Sequence, residues 1–204
     1  MDSSWLIADC TNIEGFSSSF VTVNTSQFQN NFCGIFTVTQ TGNQLFLNYL
    51  SQVVEVAADG ATTIRGIVVD GDVTDVFESD DLYLQYNPGF TLNSAEPPVW
   101  VEFEGTVASV PQWLNLKLES SANTPGIAQT VEMFNFETEQ FELVDTRPTT
   151  FNVDTTHNVA IPVPNEFVQP GTNLVRARNG WRQDGFTLLF PWTVRIDFVV
   201  WVLQ

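Results

Sequence analysis

The chain has 204 residues, with 24 acidic and 7 basic side chains, a formal net charge of −17, and aromatic residues at 13%. A field of that sign repels phosphate backbones and anionic lipid heads, which excludes nucleic acid and anionic membrane surfaces as partners. Charged residues make up only 15% of a chain rich in Phe and Trp, which excludes disorder. A length of this order buries about 70% of the unfolded surface, so the core requires no disulfide framework.

The sequence opens Met1-Asp2-Ser3-Ser4-Trp5, without a basic stretch leading into an apolar one, so no secretory signal is expected in it. No apolar run reaches the length of a membrane span. The single Lys117, and the free use of Asn, Thr, Ser and Gln, suggest an extracellular or cell-surface protein. Cys10 and Cys33 are a candidate disulfide whose loop would contribute roughly 3 kcal/mol. Two unpaired thiols are the equal alternative.

Apolar alternation of period two recurs along the chain and predicts strands at Phe20–Val23, Ile35–Val38, Leu45–Leu47, Val99–Phe103, Leu114–Leu118 and Val131–Phe134. Turn chemistry at Thr41-Gly42-Asn43, Asp59-Gly60, Asp70-Gly71-Asp72, Asn87-Pro88-Gly89, Pro125-Gly126 and Asn179-Gly180 separates them. The class is mainly β: an antiparallel, jelly-roll-like β-sandwich. A small-residue stretch at Ala57–Ala61 divides a β-rich N-terminal segment, 1–60, from the sandwich, 61–204. The final run, Ile196–Leu203, stops alternating after Asp197 and is apolar on both faces. It reads as a central strand, or as one whose outer face another chain covers.

Charge is unevenly placed, with 14 acids and a single base, Arg65, before Lys117. The densest acidic group, Asp70, Asp72, Asp75, Asp80 and Asp81, is the candidate calcium site, since a hard cation takes oxygen ligands from turn-rich segments. Its spacing does not match an EF-hand, and turn residues bonding their own backbone are the alternative. Calcium is the one candidate cofactor. The lone His157 lies in a polar strand edge or turn without a nucleophile elbow and reads as an exposed residue without a catalytic role. With so many acids, carboxyl pairs at glycosidase spacing are inevitable and select no catalytic residue.

Aromatic platforms remain. Trp113, after Pro111-Gln112, and Trp181, between Gly180 and Arg182, are candidate ligand-stacking residues, while Trp192 and Trp201 read as core. Arg176, Arg178 and Arg182 would add hydrogen-bond donors near Trp181. The first two share a strand face by period two, and neighbouring carboxylates are their alternative partners. Phe134-Asn135-Phe136 and Phe141 form an aromatic hairpin that reads as fold-defining.

From about Thr62 the chain resembles a β-sandwich module of short secreted proteins of planctomycete-type bacteria. The resemblance is carried by Ile64–Gly71, Glu78–Leu84, Gln129–Phe136, Val144–Arg147, Phe167–Thr172, Arg176–Arg178 and Pro191–Asp197. It implies an extracellular jelly-roll-like fold and assigns no catalytic residue. The expected function is therefore non-enzymatic: a structural subunit that assembles with copies of itself into a fibre, sheath or surface structure. The alternative is a carbohydrate-binding or adhesive module with a glycan as partner.

Overall fold

The computed structural model describes residues 3–24, 34–51, 53–92, 96–183 and 192–203. Among these residues are fourteen strands: β1 (Ser3–Asp9), β2 (Gly34–Thr41), β3 (Gln44–Ser51), β4 (Val54–Ala57), β5 (Gly60–Arg65), β6 (Ile67–Asp70), β7 (Leu84–Asn87), β8 (Val99–Thr106), β9 (Leu114–Ala122), β10 (Ile127–Asn135), β11 (Gln140–Pro148), β12 (Thr155–Ile161), β13 (Leu174–Gln183) and β14 (Val194–Leu203). Among the described residues one short α-helix, α1 (Pro164–Phe167), precedes β13. No helix among the described residues is long and apolar enough to cross a membrane.

Two units divide the chain, Met1–Val54 with Gln204, and Glu55–Leu203. In the first, β1, β3 and β2 form an antiparallel sheet in that order. Thr41 pairs with Gln44, leaving Gly42-Asn43 as a two-residue turn. Gly42 supplies the positive φ, +60°, that such a tight hairpin requires. The strand expected at Phe20–Val23 does not form. Ser18–Phe20 is instead a turn of 3-10 helix, because the Ser17 side chain accepts from the Ser19 N–H and redirects the backbone.

The second unit is a sandwich of two sheets. One runs β11-β10-β13-β8-β5; the other runs β12-β9-β14-β7-β6, with β4 also paired to β14. The pairings along both strand orders are antiparallel, and the chain passes back and forth between the sheets in the jelly-roll manner. Inward residues of both sheets, among them Val101, Phe103, Val131, Ala177 and Trp181 of the first and Leu114, Leu116, Leu118, Val194 and Trp201 of the second, make one buried cluster. Trp201 spans the two layers. A Cβ on Gly105 of β8 would lie 2.5 Å from its ring, so the indole packs directly on the opposing backbone.

β14 is central, with β9 on one side and β7 and β4 on the other. Its register shifts between Ile196 and Phe198, placing a bulge at Asp197. That one extra residue changes the phase of the alternation: Val194 and Ile196 face the core before it, Val199, Trp201 and Leu203 after it. Phe198, Val200 and Val202 turn to the other face and form a second buried cluster with Ala57. Both apolar faces of the strand are buried within the chain, so they present no open surface to a second copy.

Candidate functional site

The outer face of the β11-β10-β13-β8-β5 sheet carries four of the chain's seven basic residues, Arg65, Arg176, Arg178 and Arg182. Alternation puts Val99, Val101 and Phe103 of β8 in the core, so Trp100, Glu102 and Glu104 face outward. On β13, Val175 and Ala177 face inward and Arg176 and Arg178 outward. Register then sets Arg178 opposite Glu102 on one side and Glu132 of β10 on the other, with Arg176 opposite Glu104.

Glu102 is the hub. Its side chain is only 7% exposed, and it holds both guanidinium groups. Arg176 donates from Nε to Oε1 at 2.8 Å and also from Nη2, while Arg178 donates from Nε to Oε2 at 2.9 Å. Arg176 Nε lies 3.3 Å from Glu104 as well. Held in this way, the arginines stack on aromatic rings. Arg178 sits 3.5 Å from the Phe141 centroid and 5.2 Å from that of Trp100; Arg176 lies 4.6 Å from Phe134 and 5.3 Å from Phe141. Phe134 meets Phe136 and Phe141 edge-on at 4.9 and 5.0 Å. The result is a continuous, half-buried ladder of rings and guanidinium planes.

At one end this ladder opens into a cavity of about 510 Å³, with Phe134, Phe136, Pro170 and Leu174 as its apolar walls and Glu139, Gln169 and Arg176 as its polar groups. Local bonding fixes those walls. Asn135 Oδ1 accepts from the Glu137 and Thr138 N–H groups, closing the β10–β11 turn, and the Phe136 N–H donates to the Glu166 carbonyl of α1. The Asn173 N–H donates to the Gln169 carbonyl, folding the loop that leads into β13. A site on pinned hairpins and strands is pre-organised, which lowers the entropy lost on binding.

Of the residues singled out from sequence, Arg176 and Arg178 lie in this site. Arg182 does not join them: it is exposed farther along β13, past Gly180, over which Pro97 packs so closely that a Cβ would meet it at 2.6 Å. Trp181 is 0% exposed and part of the core, so it offers no stacking surface. It alternates with the outward arginines and so faces inward. Trp113 is 39% exposed, just before β9 in the other sheet. The proposed pairing of Cys10 with Cys33 falls outside the described residues; Cys10 itself is exposed.

The acids proposed for calcium make local hydrogen bonds, four of them accepting from backbone N–H groups. Asp72 caps a 3-10 turn at Val73–Val76, with Asp75 closing a reciprocal capping box. The Thr74 hydroxyl and N–H both donate to Asp72 and hold its carboxyl below the usual range. Asp70 accepts from the Gly71 N–H, Asp80 from the Leu82 N–H, and Asp81 from the Tyr83 hydroxyl. Among the described residues no group of three or more His, Cys, Asp or Glu side chains is arranged to hold a metal ion.

A different carboxylate stands out. Asp197, in the β14 bulge, is 1% exposed and has an unpaired Oδ1. Burial, and then the nearby charges of Glu119, Asp154 and Asp81, push its pKa up to about 6 against a hydrogen bond from the Asp80 backbone. Tyr83 donates to Asp154 at 2.9 Å, and burial, with the Asp154 and Asp81 carboxylates, raises its own pKa. His157 is half-buried on the edge strand β12, and burial, then Arg147, lower its pKa.

Fold and face together define a β-sandwich that presents a charged, aromatic sheet surface. No family model and no curated protein matches the chain. Among solved structures it is similar to a "xylan-binding module CBM15", with 12% identity, 74% of this chain and 96% of that one covered, and a TM-score of 0.45. It is also similar to a "Carbohydrate binding module family29" (10% identity, 74% and 89% covered, TM-score 0.42) and to the CBM36-1 domain of a multidomain xylanase from the hindgut metagenome of Trinervitermes trinervoides (12%, 75% and 98%, 0.41).

Proposed function

We propose that the protein is a non-catalytic glycan-binding module and that the outer face of the β11-β10-β13-β8-β5 sheet is its binding surface. The observation that carries this is the ladder itself. Sugar rings have apolar C–H faces and rims of hydroxyls that both donate and accept. Such a ligand needs flat apolar or guanidinium surfaces beside fixed donors and acceptors. Arg176, Arg178, Phe134 and Phe136 supply the first; Arg176, Gln169, Glu104 and Glu139 supply the second. The cavity, at about 510 Å³, falls within the range of small-ligand sites, roughly 300–1,000 Å³. Recognition of insoluble or cell-surface glycans fits an extracellular setting, which we include in the proposal.

The competing reading, a self-assembling structural subunit, drew on the apolar last strand. That strand is central and buried on both faces, which leaves the half-buried ladder on the outer sheet face as the stronger feature.

Affinity electrophoresis through gels containing xylan, mannan or β-glucan tests the reading. The wild type should be retarded in at least one gel, and Arg176→Ala and Phe134→Ala should each weaken retention about tenfold, the equivalent of ~1.4 kcal/mol. Trp113→Ala should migrate like the wild type. Free migration in every gel, or retention that survives Arg176→Ala, contradicts the proposal.

A further inference from the structure

We infer that Glu102 sets the ligand class of this face, restricting it to uncharged glycans by occupying donors of the two arginines that would otherwise bind carboxylates. The inference rests on the glycan-binding reading and goes beyond it, since the same ladder without Glu102 would favour a different ligand.

Arginine is the side chain best suited to carboxylate recognition, because its planar fork matches two oxygens at once. Here that capacity is already engaged. Glu102 binds Arg176 through one oxygen and Arg178 through the other, Glu104 takes a second position on Arg176, and Arg65 is paired with Glu96. A uronate arriving from solvent would have to displace carboxylates that the strands hold in place. The wider face opposes it too. Four guanidinium groups on the face, of Arg65, Arg176, Arg178 and Arg182, stand beside five carboxylates, of Glu96, Glu102, Glu104, Glu132 and Glu139. A chain of net charge −17 surrounds them. Hydroxyls meet no such penalty: each can accept from the N–H groups the arginines have left and donate to Glu104 or Glu139.

The position of Glu102 suits the role. Its side chain is 7% exposed, below the surface a ligand would touch, so it acts through the arginines as a positioning and charge-setting residue. Glu104, 45% exposed, contributes from the solvent side of Arg176.

The test compares wild type and Glu102→Gln for binding to a neutral β-glycan and to polygalacturonate, at low and moderate salt, with folding followed by circular dichroism. For the wild type we expect binding to the neutral glycan that is indifferent to salt, and none to polygalacturonate. Glu102→Gln should gain polygalacturonate binding by about tenfold or more, and added salt should abolish the gain. A residue with a purely structural role would weaken both ligands on substitution and create no new affinity. Should Glu102→Gln not fold, Glu104→Gln frees one side of Arg176 and should show a smaller gain in the same direction. Equal binding of both glycans by the wild type, or no gain in any folded variant, overturns the role of Glu102 while leaving the glycan site standing. Binding to neither ligand class by any protein removes the glycan site and this inference with it.

Discussion

Trp201→Ala should lower the unfolding free energy by about 3–5 kcal/mol, the range for emptying a large aromatic site in a close-packed core. The indole is fully buried and lies on the backbone of the opposite sheet at Gly105, so neither layer can close the space without moving a strand. Gly105→Ala attacks the same contact from the other side. Its Cβ would come within 2.5 Å of the ring, and overpacking of this kind costs roughly 1–3 kcal/mol. The two effects are coupled: with Trp201 already truncated, an alanine at 105 has room. Urea titrations of both single variants and the double variant check this. Additive losses would mean that the ring and the Gly105 backbone do not share the contact described.

Asp197→Asn should stabilise the protein by about 2–3 kcal/mol near pH 8 and make little difference near pH 4. The reason is the pKa of about 6 against an ordinary 3.8. The folded state binds this proton more tightly than the unfolded chain does. The stability linked to it is fully present below the ordinary value and is lost as pH rises through about 6. Above that pH a buried charge sits among Glu119, Asp154 and Asp81 with one oxygen unpaired. Asparagine removes the charge and keeps an oxygen for the Asp80 N–H. Melting temperatures for the two proteins should converge on acidification; parallel curves across the range would show that Asp197 titrates normally.

Much of the sandwich could be read from alternation, and the failures have specific physical causes. Ile196–Leu203 looked apolar on both faces because a bulge at Asp197 changes the phase of a strand that is buried on both sides. A single acid inside an apolar run was the visible trace of that bulge. Trp181 was misplaced because its charged neighbours suggested exposure. Counting by two from Val175 and Ala177 puts it in the core, and the same count puts Arg176 and Arg178 outside. Phe20–Val23 had the composition of a strand, but a serine cap won locally.

The site itself was half visible. Arg176 and Arg178 on one face, with carboxylates as partners, follow from spacing and charge. Glu102 as the shared partner does not, because β8 and β13 are far apart in sequence and only register brings them together. The hairpin aromatics were seen as fold-defining. Phe134, Phe136 and Phe141 do pack against one another, yet they do so on the outer face, where arginines cover them and a cavity opens beside them. Alternation against Val131 and Met133 was the signal that assigned Phe134 to that face. The acidic segment from Asp70 to Asp81 drew attention by its density and turn-rich setting, and its carboxylates make local cap, turn and tyrosine hydrogen bonds.

The central claim is that a glycan binds on the outer face of the β11-β10-β13-β8-β5 sheet. An amide NMR titration of the wild type with neutral hexasaccharides of xylose, mannose and glucose tests it most directly. Saturable shifts should concentrate on β8, β10, β11 and β13 around Trp100, Glu102, Phe134, Phe141, Arg176 and Arg178, and in the loop carrying Gln169. No saturable shifts with any sugar, or shifts confined to the opposite sheet around Trp113, would contradict it.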